Sequence, residues 1–137
     1  MSNLEQTLSI IKPDAVERNL EDKIKTMFKN EGFKIVKEKK IKLEKIDAEK
    51  FYKVHETKPF YNDLCEYLSS GTIVVMVLEK ENAIKSNRHL MGATDPSKAE
   101  EGTIRRQFGK SIDKNSVHGS DSLENAKIEI DFFFKTS

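Results

Sequence analysis

The apolar run TIVVMVL from Thr72 to Leu78 constrains the fold most strongly. It is continuous and rich in β-branched side chains, which is typical of a strand that is covered on both faces. Its longest fully apolar part, from Ile73 to Leu78, is far too short to span a bilayer. The sequence therefore predicts a central strand in a layered domain, with other elements packed above and below it.

The first part of the chain predicts a strand, a helix and a second strand. Thr7 to Ile11 is a short β-prone run that is cut off by Pro13, which cannot donate to a strand ladder. Phe33 to Leu43 alternates apolar residues with lysines, as an edge or half-buried strand does. Between the two runs, an apolar stripe at helical spacing predicts a helix that Gly32 ends. The stripe consists of Leu20, Ile24, Met27 and Phe28.

Two further helices are predicted before the central strand. Apolar side chains recur at helical spacing between Asp47 and Ser70, and Pro59 interrupts the pattern, as expected for two helices at an angle. The apolar positions are Phe51, Val54, Leu64 and Leu68. We therefore expect a helical hairpin, after which Gly71 releases the chain into the central strand.

The last part of the chain predicts two helices separated by a long loop. Asn82 is expected to cap a short helix that carries Ala83, Ile84 and Met91. The stretch 92–114 has many loop formers and little periodicity, and a loop of this length in a compact domain is usually functional. Asp121 is expected to cap the final helix, with Glu124 reaching back in a capping box. The apolar stripe of that helix is Ala126, Ile130, Phe133 and Phe134.

A further short strand at Ser116 and Val117 completes a βαββαβ-type α+β sandwich. We expect its ferredoxin-like form, in which an antiparallel four-stranded sheet is covered by helices. A chain of 137 residues is close to the usual size of one domain. Residues 1–137 are therefore expected to form a single domain.

Composition and charge exclude several classes of protein. The chain has 24 Lys+Arg and 23 Asp+Glu and a net charge of +1, which argues against neutralising a long phosphate backbone as its main task. Cys65 is the only cysteine, so an internal disulfide and a cysteine-based metal cluster are both excluded. The N-terminal residues show neither the basic nor the apolar segment of a signal peptide. We expect a cytoplasmic protein that needs neither a membrane nor a nucleic acid.

His118 stands at a corner of the predicted fold, after the short strand and immediately before the capped helix. Gly119 removes a side chain beside the imidazole, and the N-terminus of the helix offers unpaired N–H groups and a partial positive charge. Both features favour a phosphate, so a histidine in this place could attack phosphorus. The same spacing also fits a strand-end histidine that neighbouring carboxylates satisfy.

A metal site and a serine nucleophile are weaker interpretations of the same corner. His118 and Asp121 are both metal-ligand types, but a structural zinc site needs four ligands. The other histidines and the cysteine show none of the tight spacings that would supply them. Ser120 and Ser122 lack the G-x-S-x-G pattern of a nucleophilic serine.

The run NSVHGSDSL from Asn115 to Leu123 resembles the active-site signature of nucleoside diphosphate kinases. Further blocks resemble other parts of that family, in its order and spacing, and together they cover essentially the whole chain. They are TLSIIKPD at Thr7–Asp14, KPFY at Lys58–Tyr61, SG at Ser70–Gly71, MGATDP at Met91–Pro96 and GTIR at Gly102–Arg105. Collinear blocks of this kind are far harder to obtain by chance than a single short motif.

The resemblance implies a ping-pong exchange of phosphate between nucleotides. A nucleoside triphosphate such as ATP would phosphorylate His118, and a second nucleoside diphosphate would then take the phosphoryl group. The attack needs a neutral imidazole in a fixed tautomer, and Glu129 matches the family's carboxylate in that role. The main alternative is a non-catalytic nucleotide-binding module of ferredoxin-like fold.

The resemblance also implies the residues of the nucleotide site. Arg88, Thr94 and Arg105 would contact phosphates, and Lys12 and Asn115 would lie near the ribose hydroxyls, with Lys12 counted among the catalytic residues. The full binding set is Lys12, Tyr52, His55, Phe60, Leu64, Arg88, Thr94, Arg105, Ile112, Asn115 and Gly119.

Three further expectations concern the base, the metal ion and the assembly. Phe60 would stack on the base, with Leu64 and Ile112 lining the same slot, and stacking predicts broad base tolerance. Mg²⁺ would enter with the nucleotide and need no protein cage, with Asp121 as an outer-shell group. The family resemblance also implies a homo-oligomer, either a tetramer or a hexamer.

Overall fold

The computed structural model describes residues 4–53, 56–110 and 116–134. Within these residues, four strands form one antiparallel sheet in the order β2-β3-β1-β4. The strands are β1 (Leu4–Ile11), β2 (Lys34–Ile41), β3 (Ile73–Glu81) and β4 (Val117–Gly119). The helices are α1 (Pro13–Glu17), α2 (Glu21–Asn30), α3 (Lys45–Phe51), α4 (Tyr61–Leu68), α5 (Ala83–Met91), α6 (Ile104–Phe108) and α7 (Leu123–Phe134). The predicted ferredoxin-like α+β class is confirmed.

The predicted central strand lies between β1 and β2, as expected from its unbroken apolar pattern. Side chains alternate between the two faces of a strand, so a run that is apolar throughout can be buried on both. Val74 and Met76 belong to one buried cluster, whereas Ile73 and Val75 belong to the other. This double burial places β3 in the middle of the molecule.

Helices cover both faces of the sheet. The first layer, α1, α2, α5 and α6, packs its buried side chains against the face of Val74. The second layer, α3, α4 and α7, packs against the face of Ile73. None of the helices in the described residues is long and apolar enough to cross a membrane.

The lysine-rich second strand occupies the edge that its half-apolar pattern predicts. β2 pairs with β3 on one side only. The register shifts between Ile35 and Lys37, which marks a bulge at Val36. The side chain of Val36 is 37% exposed, so the predicted alternation of buried and exposed positions is interrupted there.

Two predicted helix caps are wrong in their details. Asn82 precedes α5, but it adopts the left-handed conformation with φ of 53° and makes no side-chain cap. Glu5 supplies the missing acceptor, since its Oε1 accepts the Ile84 N–H at 3.3 Å. At α7 the Oγ of Ser122 accepts the Asn125 N–H at 3.1 Å, while Asp121 accepts the Asn125 side chain instead. The cap therefore lies one residue later than predicted.

The predicted long loop contains helical structure that its weak periodicity conceals. A 3₁₀ turn covers Pro96–Lys98, and α6 covers Ile104–Phe108. Thr103 starts α6, because its side chain accepts the Arg106 N–H. The chain directly after β1 is also helical, because Pro13 occupies the first position of α1, where its missing N–H costs nothing. Val54, part of the predicted hairpin pattern, lies outside the described residues.

Candidate active site

His118 projects from the middle of β4 toward the second helix layer. Its neighbour Val117 pairs with Ile11, and both belong to the cluster under the first layer. Because successive side chains of a strand point to opposite faces, His118, which pairs with Ile10, turns to the other face. Its side chain keeps 21% exposure, so the imidazole is shielded but reachable.

A carboxylate from α7 meets the imidazole. Glu129 Oε1 lies 3.2 Å from His118 Nε2, and the Ser120 hydroxyl donates to the same oxygen at 2.8 Å. A carboxylate only accepts hydrogen bonds, so Nε2 carries the hydrogen in this contact. Among residues 4–53, 56–110 and 116–134, Nδ1 makes no hydrogen bond, and it presents its lone pair.

Ser120 fixes Glu129 from within the core. It is fully buried, and its Oγ also accepts the Leu8 N–H at 3.2 Å. The sequence reasoning considered Ser120 only as a nucleophile and missed this contact. Residues 118 and 120 are two apart in extended chain and therefore share a face, which is the signal that could have predicted it.

Aromatic rings form one wall beside the imidazole. The ring of Phe51, which the sequence reasoning assigned only to a helix pattern, lies 5.4 Å from the His118 ring in an edge-on arrangement. The predicted site residue Tyr52 lies 6.4 Å away and is buried. Burial, followed by the nearby Glu129 carboxylate, raises the pKa of Tyr52 well above its usual value, so the phenol stays protonated. The wall is apolar and lowers the polarity around the ring.

Gly119 allows α5 to approach β4 closely. A Cβ at this position would lie 2.3 Å from Asn87 Nδ2 and 2.7 Å from Met91 Cε. Any side chain here would push α5 away from the strand that carries His118. The sequence predicts that Gly119 leaves space beside the imidazole. In the structure, a side chain at Gly119 would instead lie on the opposite face of the sheet from the imidazole, where α5 packs.

Two predicted phosphate ligands lie close to each other on α5 and α6. The Arg105 guanidinium donates to the Gly92 and Val117 carbonyls, both at 3.0 Å. Burial, and then the charge of Arg88, lower the pKa of Arg105 to about 10, so it remains a cation at neutral pH. The bond to Val117 ties Arg105 to the strand of His118.

A cleft of about 750 Å³ opens in front of these two arginines. Arg88, Arg105, Thr94 and Asp121 all line it. His118, Lys12 and Phe60 are not among its lining residues. The cleft therefore brings the predicted phosphate ligands together, but it includes neither the predicted nucleophile nor these predicted ribose and base ligands. The cleft has room for a polyphosphate chain, and its cations favour an anion.

Lys12 lies at the junction of β1 and α1 and is buried. Its backbone N–H donates to the Ser116 carbonyl at 2.8 Å, which joins the end of β1 to the start of β4. Ser116 has φ of 75°, a conformation that L-residues rarely adopt, immediately before the strand of His118. Lys12 is therefore held at the end of the sheet that carries His118.

Phe60 is 45% exposed at the N-terminal end of α4. Leu64, one turn later, packs against the second apolar cluster. His55, Ile112 and Asn115, also predicted for the nucleotide site, lie outside the described residues. The side chain of Phe60 is therefore partly accessible to solvent.

The described residues hold no group of three or more histidine, cysteine, aspartate or glutamate side chains arranged to bind a metal ion. Asp121, the predicted outer-shell group, lines the cleft beside the arginines. Its Oδ1 accepts a hydrogen bond from the Asn125 amide at 2.6 Å.

The chain is also similar to known proteins of one family. The family model described as nucleoside diphosphate kinase matches residues 5–137. A curated nucleoside diphosphate kinase from a Nitratiruptor species is 60% identical over 131 residues, which are 96% of this chain and 96% of that protein. One from Campylobacter jejuni is 58% identical over 132 residues, again 96% of each chain.

Solved structures show the same likeness. The nucleoside diphosphate kinase of Aquifex aeolicus superposes with a TM-score of 0.94 at 44% identity, covering 96% of both chains. That of Encephalitozoon cuniculi gives a TM-score of 0.93 at 35% identity, covering 96% of this chain and 90% of the other. The fold and the sequence blocks thus point to one group of enzymes.

Proposed function

The chain belongs to the nucleoside diphosphate kinase family, an enzyme family, and we propose that it moves the γ-phosphoryl group between nucleotides through a covalent intermediate on His118. In the first half-reaction a bond forms between an imidazole nitrogen and the γ-phosphorus of a nucleoside triphosphate. The bond from that phosphorus to the β–γ bridging oxygen breaks, and its electron pair leaves with the diphosphate. A second nucleoside diphosphate then attacks the phosphohistidine with its terminal oxygen and regenerates the neutral imidazole.

The single observation that carries this proposal is the contact between His118 and Glu129. Since Nε2 donates to Glu129 at 3.2 Å, the nucleophile is Nδ1, which holds the lone pair. The ring becomes cationic when it takes the phosphoryl group, and the adjacent carboxylate stabilises that charge. Ser120 holds the carboxylate in place at 2.8 Å, so little reorganisation is needed during the reaction.

Arg88, Thr94 and Arg105 are the proposed phosphate ligands. Phosphoryl transfer asks a protein mainly to position the reactants and to neutralise charge on the phosphate oxygens. Burial, and then the charge of Arg88, lower the pKa of Arg105, and an anion between the two guanidinium groups would offset their mutual repulsion. Lys12 and Asn115 complete the proposal near the ribose hydroxyls, and Lys12 is also proposed to act in catalysis.

The substrate is proposed to be the Mg²⁺ complex of the nucleotide. When bound, Mg²⁺ would supply positive charge that offsets the negative charge of the phosphates. Asp121 lines the same cleft as Arg88 and Arg105, and we assign it to the outer shell of the ion. Its hydrogen bond with Asn125 orients the carboxylate for that role.

Phe60 is proposed to stack on the base, with Leu64 and Ile112 beside it. A partly exposed aromatic ring can stack on any base, because every base offers a π-face and stacking does not read the edge of the base by hydrogen bonds. Broad base tolerance follows from this mode of binding. Tyr52, His55 and Gly119 belong to the same proposed site, with His55 proposed to contact a phosphate.

We further propose that residues 1–137 form one domain that assembles into a homo-oligomer, a tetramer or a hexamer, in the cytoplasm. Both apolar clusters pack on one sheet, which supports a single folding unit. Ile128 and Phe132 on α7 are 61% and 38% exposed, an apolar surface that a second subunit could cover. Sedimentation measurements would give the number of subunits.

The test of the covalent mechanism is a two-step labelling experiment. The protein is incubated with Mg²⁺ and γ-labelled ATP without an acceptor, the label is checked for lability in acid and in alkali, and unlabelled GDP is then added. Acid-labile, alkali-stable label that moves to GDP is the expected result, and His118→Ala should take no label. His89→Ala, which removes an exposed histidine from α5, is the matched control and should label normally. Bound nucleotide without any label would instead indicate a non-catalytic nucleotide-binding module.

A further inference from the structure

Arg18, at the C-terminal end of α1, makes contacts that the proposed reaction does not yet use. Its Nη2 donates to the Phe108 carbonyl and lies 3.5 Å from the Ser116 hydroxyl. The same nitrogen pairs with the Asp14 carboxylate at 3.2 Å, while Nε donates to the Asp14 carbonyl at 3.1 Å. One side chain thus contacts three separate parts of the chain.

The two distant contacts of Arg18 flank the elements that carry reactive groups. Phe108 is the last residue of α6, one turn after Arg105. Ser116 precedes β4 directly, two residues before His118. Arg18 therefore joins the end of the phosphate-binding helix to the start of the strand that holds the nucleophile.

Asp14 and Tyr67 hold Arg18 in this position. The Asp14 side chain is only 6% exposed, and the Tyr67 hydroxyl donates to its second carboxylate oxygen. The Asp14 N–H in turn donates to the Tyr67 oxygen at 3.1 Å. Burial, followed by the hydrogen bond to Asp14, raises the pKa of Tyr67 far above its usual value, so the phenol keeps the proton that it donates. The contact links α4, which carries Leu64, to α1.

We propose that Arg18 is a positioning residue for phosphoryl transfer, which keeps Arg105 and His118 at a fixed separation by binding the end of α6 and the start of β4 together. Tyr67, acting through Asp14, orients the guanidinium. The inference rests on the proposed function, since it assigns a role to Arg18 in that reaction. Arg18 itself does not touch the phosphates.

The physical argument is one of alignment. Arg105 donates one bond to β4, through the Val117 carbonyl, which fixes one point of α6 against the strand. The contacts of Arg18 Nη2 with Phe108 and Ser116 supply a second connection, between the end of α6 and the residue that leads into β4. The bond from Nε to the Asp14 carbonyl fixes the plane of the guanidinium and so directs Nη2, an orientation that the single nitrogen of a lysine lacks. Displacement of a reacting group by about 1 Å can slow a reaction roughly 100-fold.

The test uses three variants and a matched control. Arg18→Met removes the guanidinium, Arg18→Lys keeps the charge beside Asp14 but has only one nitrogen, and Tyr67→Phe removes only the hydroxyl. Arg106→Met is the control, since Arg106 is an exposed arginine of the same α6, and its guanidinium donates to the Ser97 carbonyl at 3.4 Å rather than to β4. Each full-length protein is mixed rapidly with excess Mg²⁺ and γ-labelled ATP, well below its unfolding temperature, and quenched at successive times.

The time course separates positioning from stability. The amplitude gives the fraction of folded sites, whereas the rate constant at saturating ATP reports alignment within those sites. We expect Arg18→Met to reach full amplitude with a rate constant at least about 10-fold lower, and with half-saturation at a similar ATP concentration. Arg18→Lys should be intermediate, Tyr67→Phe should be slowed less, and Arg106→Met should match the wild type.

A wild-type rate constant in Arg18→Met would overturn the inference, whether the amplitude is full or reduced, because reduced amplitude alone indicates a purely structural role. If Arg18→Met does not fold, Arg18→Lys decides in the same way: a wild-type rate constant refutes positioning, and a slowed one at full amplitude supports it. An unlabelled wild-type protein would refute the proposed function itself. That failure is distinct from labelling of wild type and variant at the same rate, which refutes only the role of Arg18.

Discussion

Replacement of Arg105 by methionine should destabilise the protein far more than replacement of Arg88, although both residues are proposed phosphate ligands. Arg105 is tied into the fold through the Gly92 and Val117 carbonyls. Arg88 is an exposed residue of α5 whose charge lowers the pKa of Arg105. Methionine keeps much of the length and apolar contact of either side chain while removing the charge.

The structure gives the size of the expected difference. Each bond from the Arg105 cation to a carbonyl is worth roughly 1.5–3 kcal/mol. Part of this is offset, because Arg105 Nε is buried without a hydrogen-bond partner in the described residues, at a cost of about 1–3 kcal/mol. A net loss of about 2–3 kcal/mol follows for Arg105→Met, or a fall of roughly 6–15 °C in Tm for a chain of this size. Arg88→Met should change stability by less than about 0.5 kcal/mol.

The assay is thermal unfolding at one fixed protein concentration, with and without Mg²⁺ and ADP. Wild-type protein should gain stability from the nucleotide by linkage, and both variants should gain less because each has lost a phosphate ligand. Arg106→Met on the same helix is the control and should behave as wild type in both conditions. An Arg105→Met protein as stable as Arg88→Met would refute the assignment of a structural role to the Arg105 guanidinium.

Two more substitutions test other parts of the site. Ser120→Ala removes the donor to Glu129 and the acceptor of the Leu8 N–H, so it should lower the free energy of unfolding by about 1–2 kcal/mol and slow the labelling of His118. Denaturant unfolding with an unchanged m-value measures the first effect, and rapid-quench labelling measures the second. An unchanged labelling rate would contradict the role of Ser120 in supporting Glu129. Phe60→Ala removes a ring that is 45% exposed, so Tm should barely change. The binding free energies of adenine, guanine and pyrimidine nucleotides should all weaken by roughly 1–3 kcal/mol, which calorimetric titration with each nucleotide checks. A loss confined to one base would exclude stacking as the common mode of binding.

Elements with a strong apolar pattern could be predicted from the sequence, and short elements could not. The run at β3 is buried on both faces, and its pattern has no competing interpretation once its length excludes a long helix. Helix α6 has only five residues, Ile104–Phe108, too few to show a helical period, and its start depends on the Thr103 hydroxyl. The cap of α7 was misplaced by one residue because Asp121 and Ser122 are both good cap formers and only the backbone path selects between them.

The parts of the candidate site differ in the same way. The family resemblance supplied His118 and Glu129, and the fold brings these two side chains together across 11 residues of sequence. The contacts of Arg18 with Phe108 and Ser116 join residues 90 and 98 positions apart, and no local pattern signals such pairs. Burial of Ser120 likewise depends on how α7 crosses the sheet. Tertiary contacts of this kind become visible only when the elements are packed.

The central claim is that the Nδ1 atom of His118 carries the phosphoryl group while Nε2 donates to Glu129. The measurement that tests it most directly is NMR of protein labelled with ¹⁵N in its histidines, recorded after incubation with Mg²⁺ and ATP and removal of free nucleotide. Long-range correlations from the ring protons identify which nitrogen bears phosphorus. The account predicts phosphorus on Nδ1 of His118 and a hydrogen on Nε2. Phosphorus on Nε2, or on any other residue, would contradict it.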